Sequence, residues 1–185
     1  MSDMDIDEHN DEIRSCTRCR LHENRTQAVP NQGSADADTM LVGKMVGYKD
    51  DKVGLPYQGE AGNVLDDALE RADKTRQDVF LTNLTRCYPP ESRNPRADEL
   101  DRCARFFDRE LEAVDPETIV ALGKVVAERL LGRDVSVEEE HGTRHTYNTL
   151  TFRAEVVVTY NVGAATYDPS LRDVIADEVA EAVER

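Results

Sequence analysis

The sequence predicts an α/β fold: a three-layer α/β/α sandwich around a central, mostly parallel sheet of four strands. Two observations predict it. Four short β-rich runs are spaced along the chain: Thr39 to Gly43, Asp78 to Thr82, Thr118 to Leu122 and Glu155 to Tyr160. They alternate with stretches whose apolar residues recur at three- and four-residue steps, the period of a helix with one buried face. Such alternation indicates a parallel sheet covered on both faces.

Met1 to Glu12 is polar and mostly acidic and is expected to be a flexible terminus, with residues 13–185 forming one domain. Thr39 to Gly43 (TMLVG) reads as a buried strand that ends in glycine. A Gly-rich turn then runs to Gly62 and feeds a helix with Val64, Leu65, Ala68 and Leu69 on its apolar face. Asp78 to Thr82 is the second strand, followed directly by Asn83. The segment CYPPESRNP, from Cys87 to Pro95, must be a loop because it holds three prolines. Ala97 to Val114 is helical, with Leu100, Cys103, Phe106, Phe107 and Leu111 on one face. Thr118 to Leu122 is the third strand, and a helix follows from Lys124 to Leu131. Val135 to Tyr147 is either irregular or an edge hairpin, and Glu155 to Tyr160 is the fourth strand. An amphipathic helix from Ser170 to Val183 closes the chain. In such sheets ligands bind beyond the carboxyl ends of the strands. Those ends here are Gly43, Asn83, Gly123 and Asn161.

At 185 residues with 39% hydrophobic composition, the chain can bury a real core. No apolar run approaches a membrane span and the acidic start lacks a hydrophobic stretch, so a cytoplasmic protein with no membrane association is expected. The formal net charge is −15, from 38 acidic and 23 basic residues, and 18 of the basic ones are Arg. Acidity on this scale ordinarily argues against nucleic-acid binding, which relies on Lys and Arg. It also suits a halophilic host, where salt near 1 M screens charge within about 3 Å and leaves a local basic groove usable.

The four cysteines are Cys16, Cys19, Cys87 and Cys103. Grouped thiols in a cytosolic chain point to metal or redox chemistry rather than disulfides. The Cys16-x-x-Cys19 pair can converge on one centre, and the second pair can close a four-thiolate site. Zinc and a four-iron cluster both accept such a set.

The order of motifs resembles the iron–sulfur uracil-DNA glycosylases, the group often called family 4. The residues carrying the resemblance are Cys16 to Leu21 (CTRCRL), Arg25 to Pro30 (RTQAVP), Gly54 to Gly62 (GLPYQGEAG), Thr82 to Pro95, Cys103, and Ile119 to Gly123 (IVALG). The resemblance runs in register over nearly the whole chain. It implies a 4Fe-4S cluster on the four cysteines, a DNA partner containing uracil in single or double strands, and a monomeric repair protein. It also implies a pocket for a base swung out of the stack. Gly43 would line that pocket, Tyr57 would stand where the family usually has Phe, and Asn83 would read the uracil edge with one donor and one acceptor. Arg86, Arg93 and Arg96 flank the proline-rich loop and are the candidate phosphate contacts.

The two catalytic motifs depart from the family. Where the first resembles GEAPGxxED, this chain reads Gly43-Lys44-Met45-Val46-Gly47-Tyr48-Lys49-Asp50-Asp51. Where the second has His-Pro and a small residue, it reads Asn161-Val162-Gly163. Asp50 and Asn161 are the remaining catalytic candidates. The departures imply weakened cleavage of the N-glycosidic bond. The alternatives are a non-catalytic iron–sulfur protein that binds DNA or a lesion, and a metal-stabilised acidic scaffold.

Overall fold

The computed structural model describes residues 4–184. In chain order the elements are α1 (Ile6–Ser15), β1 (Gln32–Gly33), β2 (Thr39–Gly43), α2 (Tyr48–Val53), α3 (Gly59–Arg71), β3 (Phe80–Asn83), α4 (Ala97–Val114) and β4 (Thr118–Leu122). They continue with α5 (Lys124–Leu131), α6 (Val137–Glu140), β5 (Arg144–Asn148), β6 (Arg153–Thr159), α7 (Ala164–Tyr167) and α8 (Leu171–Val183).

The strands form one sheet in the order β1-β3-β2-β4-β6-β5. The four inner strands are parallel and coincide with the four read from sequence. The sheet has six strands rather than four, because β1 and β5 add an antiparallel edge on either side. Both additions lack the apolar signature of a buried strand. β1 is two residues long, and β5 (RHTYN) is polar with no fully buried position.

Side chains alternate across the inner strands, as a pleat requires. Leu41, Val120, Leu122 and Val157 pack one face against α3 and α8. Met40, Val42, Ile119, Ala121, Val156 and Val158 pack the other against α4 and α5. Three layers result. Among the described residues no helix is long and apolar enough to cross a membrane.

The acidic start departs from expectation. Residues 1–3 lie outside the described segment, but Ile6–Ser15 is a helix rather than a frayed tail. Asp5 caps it, accepting from the amides of Asp7 and Glu8 at 3.0 and 3.1 Å. His9 and Ile13, four residues apart and so on one face, are fully buried. Glu12 pairs with Arg105 and Arg109 of α4. The first turn of chain is thus anchored on α4.

Candidate functional site

The carboxyl edge of the parallel strands gathers the base-pocket residues. Gly43 and Asn83 are direct register partners at the ends of β2 and β3. A Cβ placed on Gly43 would lie 2.4 Å from Asn83 Oδ1 and 2.7 Å from Tyr57 Oη, so only glycine fits between them. Tyr57 adopts φ 55°, left-handed backbone that costs a tyrosine strain energy, of order 1–3 kcal/mol. Its buried hydroxyl donates to the Thr82 carbonyl at 2.7 Å. Burial, with the nearby Asp50 charge, pushes that hydroxyl's pKa upward, so it stays protonated.

Arg76, which sequence reasoning missed, fixes the Tyr57 turn. It donates to the carbonyls of Pro56 and Tyr57 at 3.0 and 2.7 Å while paired with Asp66. Gly62 allows the turn to sit there, since a Cβ on it would meet the Tyr57 carbonyl at 2.0 Å. An arginine four residues before a strand carries no signal of such a role.

Asn83 is 3% exposed at the end of β3, with its Oδ1 turned toward Gly43. Its amide carries both a donor and an acceptor.

The two catalytic candidates are engaged elsewhere. Asp50 is buried, and its carboxylate accepts from the amides of Gly47 at 3.0 Å and Gln58 at 2.8 Å. It holds together the loop read as a Gly-rich turn, which contains α2. Asp51 does the same for the amide of Thr26 at 2.8 Å. Asn161 follows β6, two strands from β2 and hence about 10 Å along the edge. Its Oδ1 accepts from the Gly163 amide at 2.8 Å, which leaves its Nδ2 as the group free to donate. Gly123, at φ 100°, ends β4 between these strands, and a Cβ there would approach Asn161 Cβ to 3.1 Å.

The proline-rich loop gives a correction. Arg86 is 1% exposed and cannot reach a phosphate. It pairs with Glu110 at 2.6 Å and also donates to Thr82 Oγ1. The sequence placed it beside an exposed loop, and nothing local reveals a partner on α4. Arg93 is half-buried in a two-pronged pair with Glu99, at 2.7 and 2.8 Å. Arg96 remains exposed at the start of α4.

The four cysteines line one cavity, although Cys103 is 87 residues from Cys16 in the chain. The 3-10 turn Arg20–Glu23 and α4 bring them together over a small apolar cluster of Ile13, Leu21, Ala28 and Phe106. All four are free thiols. Burial pushes the pKa of Cys19 and Cys87 upward and that of Cys103 up to about 12. Five basic side chains, Arg18, His22, Arg25, Arg86 and Arg102, share the lining. Arg25 Nη1 donates to Cys87 Sγ at 3.1 Å. Of these five, the sequence reading singled out Arg86 alone, and for another purpose. Among the described residues no three His, Cys, Asp or Glu side chains converge as a single ion requires.

Residues 30–180 match the family described as the uracil DNA glycosylase superfamily. The chain belongs to that superfamily. It is 33% identical over 173 residues to the type-4 uracil-DNA glycosylase of Saccharolobus solfataricus, covering 91% of this chain and 80% of that protein. It is 32% identical over 181 residues to the type-4 uracil-DNA glycosylase of Pyrobaculum aerophilum, covering 96% and 92% respectively. A bacterial type-4 uracil-DNA glycosylase, from Thermotoga maritima, is 35% identical over 131 residues, or 70% of this chain and 68% of its own length. The superfamily match spans all four inner strands, Gly43, Tyr57 and Asn83, and two of the four cysteines.

Proposed function

We propose that this protein serves base-excision DNA repair as a weakened uracil-DNA glycosylase, with a base pocket formed by Gly43, Tyr57 and Asn83. The observation that carries the reading is the juxtaposition of Gly43, Tyr57 and Asn83 at the strand ends, with the Asn83 amide oxygen and the Tyr57 hydroxyl both packed on Gly43. Uracil offers O4 as acceptor and N3–H as donor, the complement of one amide, and cytosine reverses that pattern. Gly43 lets Asn83 and the Tyr57 ring pack closely at the strand end, and that ring, held by Thr82 and Arg76, is the wall for the flipped base.

Cleavage builds negative charge on the departing uracil and positive charge on the sugar. Asn161 can offer its Nδ2 donor to the anion but no imidazolium charge. Lys44 stands where the resemblance implies an acid, and the Asp50 carboxylate is already bound to two amides. These engagements support slow excision and give weight to the second reading, a lesion-binding protein without turnover.

The four cysteines lining one cavity support a 4Fe-4S cluster held by Cys16, Cys19, Cys87 and Cys103. The basic lining offsets thiolate charge that burial otherwise disfavours. When bound, the cluster ties the Cys16–Cys19 segment to the proline-rich loop and α4. The residues of the chain then hold Arg96 and the loop in place toward DNA. A cytoplasmic monomer in a salt-rich cell accommodates the net charge of −15.

The test is binding and excision on uracil-containing single- and double-stranded oligonucleotides across a salt series. Binding with slow or no excision is expected, and Arg96→Gln should lower the salt slope by about one unit. Absence of salt-dependent DNA binding would overturn the reading.

A further inference from the structure

Lys44 directly follows Gly43 at the end of β2, on the carboxyl edge of the sheet that also carries Asn83. It is half-buried, and among the described residues no carboxylate pairs with it. Its Nζ instead donates to Asn94 Oδ1 at 2.5 Å, reaching across from the strand end to the proline-rich loop. Its carbonyl is fixed by the Thr85 amide at 3.2 Å, which holds the residue's backbone against that loop.

We propose that Lys44 is an amine nucleophile that condenses with the C1′ aldehyde of an abasic site in DNA. The proposal goes beyond the uracil reading but rests on its DNA partner. The neutral amine adds to the C1′ carbonyl carbon, and proton transfer gives a carbinolamine. Loss of one water from it leaves an imine between Nζ and C1′. No oxidant or reductant takes part, and hydrolysis restores both partners. A lysine nucleophile needs its amine neutral part of the time, and desolvation favours that form. Burial lowers the pKa of Lys44 in this way. The neighbouring Asn94 oxygen orients the amine without adding a proton or a compensating negative charge.

The holoprotein is incubated with an oligonucleotide carrying a preformed abasic site, and borohydride is added to reduce any imine to a stable amine. A covalent protein–DNA band is expected, with the adduct mapped to the peptide holding Lys44. Lys44→Gln and Lys44→Arg should each reduce the band at least tenfold. Lys52→Gln, on α2, should leave it unchanged. Lys44→Arg keeps the positive charge, so its DNA affinity should match that of the native protein while the adduct is lost. Abasic DNA bound without any adduct, or an adduct that persists in Lys44→Arg, overturns the proposal and leaves the glycosylase reading standing. Loss of affinity without any effect on an adduct identifies Lys44 as a phosphate contact and also overturns it. Failure to bind either abasic or uracil DNA overturns both readings together.

Discussion

Arg86 and Glu110 form a fully buried ion pair, Nη2 to Oε2 at 2.6 Å, that lies between the end of β3 and the thiol cavity. Thr82 Oγ1, one residue before Asn83, donates to the same carboxylate oxygen at 2.7 Å. The other oxygen accepts from Asn31 Nδ2 at 2.9 Å and meets His9 Nε2 at 3.1 Å. On the far side, Arg86 borders the thiol cavity. One carboxylate therefore joins α1, β3, α4 and the loop that carries Cys87.

Removing one member of such a pair leaves an uncompensated buried charge and costs about 3–5 kcal/mol. Glu110→Ala should lower the melting temperature by roughly 6–20 °C, taking about 2–4 °C per kcal/mol for a domain of this size. The double change Arg86→Met with Glu110→Leu should cost less than Glu110→Ala alone, because no charge is stranded. Thermal unfolding of the three proteins checks both statements. A Glu110→Ala protein that melts with the native one would show that the pair is not held in solution.

The same carboxylate sets a pH dependence. Burial alone would raise its pKa, but the Arg86 charge and the hydrogen bonds from His9, Arg86 and Thr82 outweigh burial and hold it at about 2. A carboxylate depressed on folding contributes stability above its unfolded pKa, and that stability is lost as pH falls toward the folded value. The window runs from about 4.5 down to about 2. Glu110→Gln should flatten the fall in unfolding free energy across the upper part of that window. Denaturant titrations of both proteins between pH 5 and 3 (roughly the accessible range) measure the difference in slope. Parallel slopes would remove Glu110 from the acid response.

Anaerobically purified protein should be brown and carry about four iron and four sulfide per chain. Cys103→Ala should lose the absorbance and loosen the N-terminal segment, since that ligand alone comes from α4. Limited proteolysis at residues 16–25 reads the loosening directly. Stoichiometric zinc without sulfide, in protein made with ample iron and no oxygen, would overturn the cluster.

The inner strands were legible because TMLVG, TIVAL and their like bury both faces, which leaves an unbroken apolar run. Of the edge strands, β5 was read only as one alternative, an edge hairpin over Val135 to Tyr147, and β1 not at all, since a polar strand at a sheet rim looks like a loop. Helix α1 was hidden by its acidic composition, although His9 and Ile13 already marked one face. Within the site, Gly43, Tyr57 and Asn83 came together because strand ends converge by topology. Arg86 was misplaced because its partner lies 24 residues away on another element. Asp50 looked like chemistry and is backbone support, as short acidic side chains in turns often are.

Losing one aimed donor at a developing anion costs on the order of 2.7–4 kcal/mol, a factor of about 10²–10³ in rate. A missing acid–base group costs roughly 10²–10⁴, and the two losses need not add. Asn161 sits at the strand end with its Nδ2 free, and the half-buried Lys44 shares that edge. Lys44→Glu with Asn161→His places a carboxylate and an imidazole on the carboxyl edge, two strands apart. Val162→Pro stiffens the following turn in place of the Gly163 hydrogen bond that the histidine gives up. The triple variant should excise uracil at least about a hundredfold faster than the native protein, measured by single-turnover cleavage of a uracil oligonucleotide. Lys44→Glu alone should also lose the borohydride-trapped adduct, which separates the two roles of that position. Fast excision by the native protein would show that another group, of which the imidazole of His141 held by Glu178 at 2.5 Å is the nearest in kind, already supplies the charge.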